Sequence, residues 1–186
     1  MRGGGDSARG ELRVLGVDPG TAVTGWGVIE RRGRAVVHLA HGTVATHPRT
    51  TLPVKLAAIH RALSDRCAEW RPHVLVIEKS FVGRNVQSAF RLGEVRGVAM
   101  LVAASSGLSV AEYSPAEVKL AVTGAGRAEK LQVARALARE LTLAGTIPPD
   151  AADALAVALC HLHAAPLRAI LAGTGSEGVV VRVGAR

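Results

Sequence analysis

The 186-residue sequence predicts an α/β protein: a mixed five-stranded sheet, three antiparallel strands and then two parallel ones, flanked by helices. Three observations lead there. The β-rich runs Leu12–Val17, Thr24–Glu30 and Arg34–Val44 are joined by the turn signals Pro19-Gly20 and Arg31-Arg32-Gly33, as in an antiparallel meander. Helix-period segments then alternate with two short strands, as they do when strands are joined by crossover helices. The first of those strands, Val74–Ile77, is wholly apolar, as strands covered on both faces usually are.

Taken in order, residues 1–11 are polar and Gly-rich and read as a flexible arm. The compact domain spans residues 12–163. Leu12–Val17 alternates, is rich in branched residues and stops at Asp18-Pro19-Gly20, so Asp18 stands at the carboxyl end of a buried strand. After the meander, Thr51 is placed to cap a helix with Pro53 in its first turn. Its apolar face is Leu52, Leu56, Ile59, Leu63, Cys67 and Trp70, and Arg71-Pro72 ends it. Val74–Ile77 runs into Glu78, the second apolar strand to end in an acid.

A loop, Lys79–Asn85, precedes a helix over Val86–Ser105. Gly93 and Gly97 share one side of it and predict close backbone approach, either by the sheet or by a second subunit. Leu108–Tyr113 is the fifth strand. Ser114-Pro115-Ala116-Glu117 is a capping box with Pro at the first helical position. Thr123–Arg127 breaks that helix, and Leu131, Ala134, Leu137, Ala138 and Leu141 mark the next. Pro148-Pro149 forces a break, and Asp150 opens a last helix to about His163. Residues 164–186 show little pattern and read as a disordered tail.

Composition narrows the function. Lys and Arg number 23 against 15 Asp and Glu, a formal charge of +8. That excess suits a polyanion such as nucleic acid, although a basic enzyme without one carries the same charge. Two distant cysteines, Cys67 and Cys160, offer neither a disulfide framework nor a zinc finger. With no secretory h-region and no membrane-length apolar stretch, a cytoplasmic protein is expected.

Asp18 and Glu78 are the informative residues. A charge at a buried strand end costs several kcal/mol unless it is paired or bound to a cation. Neither acid has a cap or surface-pair explanation, and neighbouring strand ends lie about 5 Å apart. Asp150 and Asp153, at i and i+3, share one face of the last helix. Alone they read as an N-cap and a favourable first-turn charge. Packed over the sheet edge, they bring four carboxylates to one corner. Such a group needs hard divalent cations, Mg²⁺ or Mn²⁺, because each carboxylate raises the pKa of the others. Two ions in one site suit phosphodiester hydrolysis.

Several stretches then closely resemble the RuvC family of Holliday-junction resolvases. They are Gly16-Val17-Asp18-Pro19-Gly20, Thr24-Gly25-Trp26-Gly27-Val28-Ile29, Ile77-Glu78-Lys79-Ser80-Phe81, Arg96-Gly97-Val98-Ala99 and Asp150-Ala151-Ala152-Asp153-Ala154-Leu155-Ala156. The match runs in order from about Leu12 to His163. It implies a ribonuclease-H-like fold, a homodimer, and nicking of four-way DNA junctions by paired symmetric cuts that leave 5′-phosphate and 3′-hydroxyl ends. It also implies two Mg²⁺ or Mn²⁺ ions per site and branch-migration proteins as partners. Asp18, Glu78, Asp150 and Asp153 match the family's metal-binding acids, and Lys119 and Lys130 its catalytic lysines. Read without the resemblance, both lysines also fit a solvated helix face.

Phe81 matches a loop aromatic that wedges into the junction; by itself it reads as a base-stacking probe or as a plug beneath its loop. Arg84, Asn85, Arg91, Lys119, Arg127 and Lys130 are the expected DNA contacts. The long arm and the Lys79-Ser80 pair depart modestly from the family pattern. Three rival readings remain open at this point: another ribonuclease-H-like nuclease, a non-catalytic DNA-binding module, and an actin-like phosphotransferase, whose first phosphate loop also reads like Asp18-Pro19-Gly20-Thr21.

Overall fold

A computed structural model of the chain describes residues 11–79 and 86–171. Its elements are β1 (Leu12–Asp18), β2 (Val23–Arg32), β3 (Ala35–Ala45), α1 (Leu52–Trp70), β4 (Val74–Glu78), α2 (Val86–Ser105), β5 (Ser109–Tyr113), α3 (Pro115–Thr123), α4 (Lys130–Glu140) and α5 (Pro149–Leu171). They form one sheet in the order β3-β2-β1-β4-β5. β1, β2 and β3 pair antiparallel, and β4 and β5 are added in parallel. This is the mixed sheet expected, with β1 at its centre.

The two faces of the sheet follow the period of two along each strand. Leu15 and Val17 of β1 and Leu75 and Ile77 of β4 pack against Ile59 and Leu63 of α1 and Val95, Ala99 and Val102 of α2. Val14 of β1 and Val76 of β4 face the opposite way, onto Leu155, Val157, Ala158, Leu159 and Leu162 of α5. Val118 and Val122 of α3 and Leu137 of α4 close that second core from outside.

Three glycines let α5 lie on the strands. A Cβ on Gly16 would stand 1.9 Å from the Ala154 carbonyl oxygen, and one on Gly25 would stand 1.9 Å from that of Asp150. A Cβ on Gly27 would reach Leu155 Cδ2 at 2.5 Å. Overlap of that depth cannot be relieved by a side-chain rotation where the neighbour is backbone. The helix therefore rides directly on the backbones of β1 and β2.

Helix ends follow the local chemistry. Ser114 Oγ accepts from the Glu117 N–H at 3.3 Å, and the Glu117 carboxylate accepts from the Ser114 N–H at 2.7 Å, which completes the expected capping box. Arg71 ends α1 in the left-handed conformation, φ 46°. Thr51 holds the N-cap position of α1 but makes no side-chain cap bond. Asp150 is not a cap either: α5 starts at Pro149, with the Ala152 N–H donating to the Pro148 carbonyl. Pro fits the first helical position because its missing N–H has no partner there anyway. At its other end α5 continues past His163 to Leu171, across Pro166. Ala, Leu and Arg residues favour the helix there without leaving a clear apolar period.

Gly93 and Gly97 correct one expectation. A Cβ on either would meet nothing within 4 Å, so they do not admit the sheet. They lie on the outward side of α2. At the end of the sheet away from Asp18, Glu30 is a buried carboxylate, 1% exposed, that accepts from Arg13 Nη2 at 2.6 Å and Arg32 Nε at 2.5 Å. Burial raises its pKa, but the two guanidinium bonds outweigh that and hold it below the usual carboxylate value. No helix among the described residues is long and apolar enough to cross a membrane.

Candidate active site

Strand register builds the first half of the site. Val17 of β1 and Ile77 of β4 are partners in parallel strands, so Asp18 and Glu78 are the next residues out on neighbouring strands. Period two turns both acids to the α5 face, with Gly16 and Val76 two residues behind. The turn beyond Asp18 is pinned by buried Thr24, whose Oγ1 donates to the Gly20 carbonyl at 2.7 Å. Glu78 is held through its backbone: Arg96 of α2 donates to its carbonyl oxygen and, through the other nitrogen, to Glu112 of β5.

The second half comes from α5. Because Gly25 and Gly16 admit the helix at the Asp150 and Ala154 carbonyls, its first turn lies over the ends of β1 and β2. Asp150 and Asp153 therefore act on the same space as Asp18 and Glu78. Burial is the largest influence on Asp18, followed by Asp153, Glu78 and Asp150. Together they push its pKa to about 7 from the ordinary 3.8, against the pull of Lys130. Glu78 is raised too, first by burial and then by Asp153, while Lys130 and Lys119 act to lower it.

Two lysines face these acids. Lys130, the first residue of α4, donates Nζ to Asp153 Oδ2 at 2.7 Å. That hydrogen bond is the main reason its ammonium is held above the ordinary lysine pKa, despite partial desolvation. Lys119, on α3, lines a cavity of about 220 Å³ together with Glu78, Lys130, Asp153, Pro115 and Val118. Both lysines thus lie beside the acid group, although the Lys130 side chain is also 72% exposed to solvent.

The donor chemistry fits hard divalent cations. All four acids offer oxygen, and among the described residues Lys119 and Lys130 are the cations that act on Asp18 and Glu78. Among the described residues no three His, Cys, Asp or Glu side chains stand as a preformed ligand shell. Glu78 and Asp153 line one cavity with Lys119 and Lys130, and Asp18 and Asp150 lie near enough to share the same electrostatic environment. The His and Cys residues near the end of α5 are otherwise engaged. His161 Nδ1 is 2.9 Å from Tyr113 Oη, His163 Nε2 is 2.7 Å from Glu140 Oε1, and Cys160 is buried without a disulfide.

Comparison with known proteins decides the family. The model of the family described as crossover junction endodeoxyribonuclease RuvC matches residues 14–161. This chain belongs to the RuvC family. A crossover junction endodeoxyribonuclease RuvC from Alkalilimnicola ehrlichii is 46% identical over 164 residues, covering 88% of this chain and 99% of that protein. The RuvC of a Geobacter species is 42% identical over 160 residues, covering 86% and 98%. Among solved structures, Thermus thermophilus RuvC in complex with a Holliday junction substrate superposes with a TM-score of 0.81 at 31% identity, over 84% of this chain and 96% of that one. The ribonuclease-H-like fold follows with the family.

The other residues singled out in the sequence are placed less closely. Arg91 is exposed on α2 and Arg127 is exposed in the turn before α4; neither lines the acid cavity. Phe81, Arg84 and Asn85 lie outside the described residues. Sequence reasoning missed Gly16, Gly25 and Gly27 as the residues that seat α5, and Arg96 as the clamp on the Glu78 backbone. Their signal was present: Gly25 and Gly27 alternate on one strand and Gly16 interrupts an apolar run on another, and glycines inside strands mark a close backbone approach.

Proposed function

We propose that this protein is a structure-selective endonuclease that resolves four-way DNA junctions in the cytoplasm by paired symmetric nicks. The observation that carries the reading is the placement of Asp18 and Glu78 at neighbouring strand ends under the first turn of α5, which brings Asp153 with its Lys130 partner into one cavity with Glu78 and Lys119. A helix cap or a surface ion pair does not gather four acids from three separate elements. The family's activity, crossover junction endodeoxyribonuclease, is one this arrangement fits.

In this reading Asp18, Glu78, Asp150 and Asp153 would hold two Mg²⁺ or Mn²⁺ ions through their carboxylate oxygens. When bound, such ions supply Lewis acidity at the phosphoryl oxygen and make water a competent nucleophile near neutral pH. The chain does the rest. Asp18 would have to be deprotonated to serve as a ligand. Lys119 and Lys130 place ammonium donors where negative charge grows on the scissile phosphate. Lys130 must then leave or share Asp153 when substrate arrives. Hydrolysis leaves 5′-phosphate and 3′-hydroxyl ends. Phe81, with Arg84, Asn85, Arg91 and Arg127, contributes DNA contacts around the cut.

Two cuts on opposing strands call for two equivalent sites, which a two-fold homodimer supplies. The outward side of α2 supports this. Val86, Phe90 and Leu101 are exposed there beside Gly93 and Gly97, and Val86, Ala89, Phe90, Gly93 and Glu94 line a largely apolar groove of about 470 Å³. Branch-migration proteins are the further partners the family resemblance implies.

The test is a substrate panel: labelled four-way junction, linear duplex and RNA–DNA hybrid, each incubated with Mg²⁺ or Mn²⁺. Paired symmetric nicks confined to the junction are expected. Equal cutting of duplex or hybrid would point to a different ribonuclease-H-like nuclease.

A further inference from the structure

A second groove, of about 410 Å³, lies between the end of α3 and the side of α4 that turns away from Lys130. Thr123, Ala125, Gln132, Arg135, Ala136 and Arg139 line it. Arg135 and Arg139 stand at i and i+4, and Gln132 is one turn earlier on the same row. At about 100° per residue this row is roughly half a turn around the helix from Lys130, so the groove is separate from the acid cavity.

Its chemistry is one-sided. No carboxylate lines it. The acids that pair elsewhere are committed: Glu30 to Arg13 and Arg32, Glu112 to Arg96, Asp153 to Lys130, and Glu140 to His163. Among the described residues, Arg135 and Arg139 have no ion pair. Gln132 Oε1 already accepts from the Glu129 N–H at 2.8 Å, which leaves its Nε2 donor for a ligand. The opposite wall is held in place. Thr123 Oγ1 donates to the Lys119 carbonyl at 2.7 Å and accepts from the Ala125 N–H at 3.1 Å, and Gly124 takes the left-handed turn at φ 77°. Two like charges one helical turn apart oppose each other, and an anion between them removes that cost.

We propose that this groove grips a backbone phosphate of a DNA arm away from the scissile step, with Arg135 and Arg139 as its anchors. The proposal rests on the junction-nuclease reading and adds a second holding point to it. A phosphate matches the planar guanidinium fork in two parallel bonds, and a lining with two guanidinium groups and no carboxylate suits an anion. Arg135 and Arg139 lie roughly 7 and 13 Å beyond Lys130 along α4, so the contact falls outside the cleaved phosphodiester. It raises affinity and leaves the chemical step alone.

The double variant R135Q/R139Q, full-length, tests this against wild type on labelled four-way junction. Binding is measured with divalent ions chelated and salt varied. Cleavage is measured in single turnover with Mg²⁺ at saturating protein. Loss of two phosphate contacts should flatten the log-affinity against log-salt slope by about 1.8 and weaken binding at least about tenfold. The saturated cleavage rate should be unchanged. The variant R135K/R139K, which keeps the charge, should regain the slope. An unchanged slope and affinity in R135Q/R139Q, with wild type binding and cutting normally, would overturn the groove as a DNA site. So would unchanged junction binding together with loss of binding to an acidic protein partner. Failure of wild type itself to bind or cut the junction would instead sink the underlying reading.

Discussion

Near pH 7 about half of the Asp18 carboxyls carry a proton in the ion-free protein, since burial and three acids set its pKa to about 7. The ordinary value is 3.8, so the folded chain binds this proton more tightly than the unfolded chain does. Stability therefore falls as pH rises from about 4 to about 7 and is level in this respect above that. Asp18→Asn removes the effect. We predict that, without divalent ions, the variant is more stable than wild type at pH 8 by roughly 1 to 2 kcal/mol, and that the gap closes toward pH 4. Thermal melts across that range check it. A gap that widens on acidification would contradict the assignment. Asp18 and Glu78 were legible in the sequence because an acid ending an apolar strand has few bland explanations. Arg96 was not, because a guanidinium that serves a backbone carbonyl leaves no pattern in the chain.

At the scale of elements, the site depends on how closely α5 sits on β1 and β2. Gly25 is the sharpest test, since an added Cβ would stand 1.9 Å from the Asp150 carbonyl oxygen. Gly25→Val should destabilise the fold by about 3 kcal/mol or more and shift the first turn of α5 away from Asp18. A folded Gly25→Val protein with full activity would show that the helix does not need this seat. Gly93→Ala offers the contrast: its Cβ meets nothing within 4 Å, and helix propensity alone should stabilise the monomer slightly. Strand and helix order could be read from periodicity, turn signals and caps, and α2 was read to its end residues. The far end of α5 was not, because Ala164–Leu171 carries helix propensity without amphipathic spacing. Glycine roles were inverted for a similar reason. A glycine in sequence says that something comes close or that nothing does, and only the packing of α5 and the open face of α2 tell the two apart.

For the whole molecule, the homodimer proposed above would place its interface on the open side of α2. Phe90 is 72% exposed there, beside Val86 and the two glycines. Phe90→Glu should shift the protein from dimer to monomer at micromolar concentration in analytical ultracentrifugation, with paired nicks giving way to single ones. An unchanged dimer with unchanged paired cutting would move the interface elsewhere. The α3–α4 groove proposed above would add a further handle on DNA to a chain of formal charge +8. The central claim, that four carboxylates form one metal-dependent catalytic centre around Asp18, has a direct test. It is the single-turnover cleavage rate of a four-way junction by Asp18→Asn, titrated with Mg²⁺ and Mn²⁺. The rate should fall by more than about a hundredfold at every ion concentration, since even residues behind a metal ligand typically cost ten- to a hundredfold. Cleavage by Asp18→Asn at the wild-type rate would contradict the account.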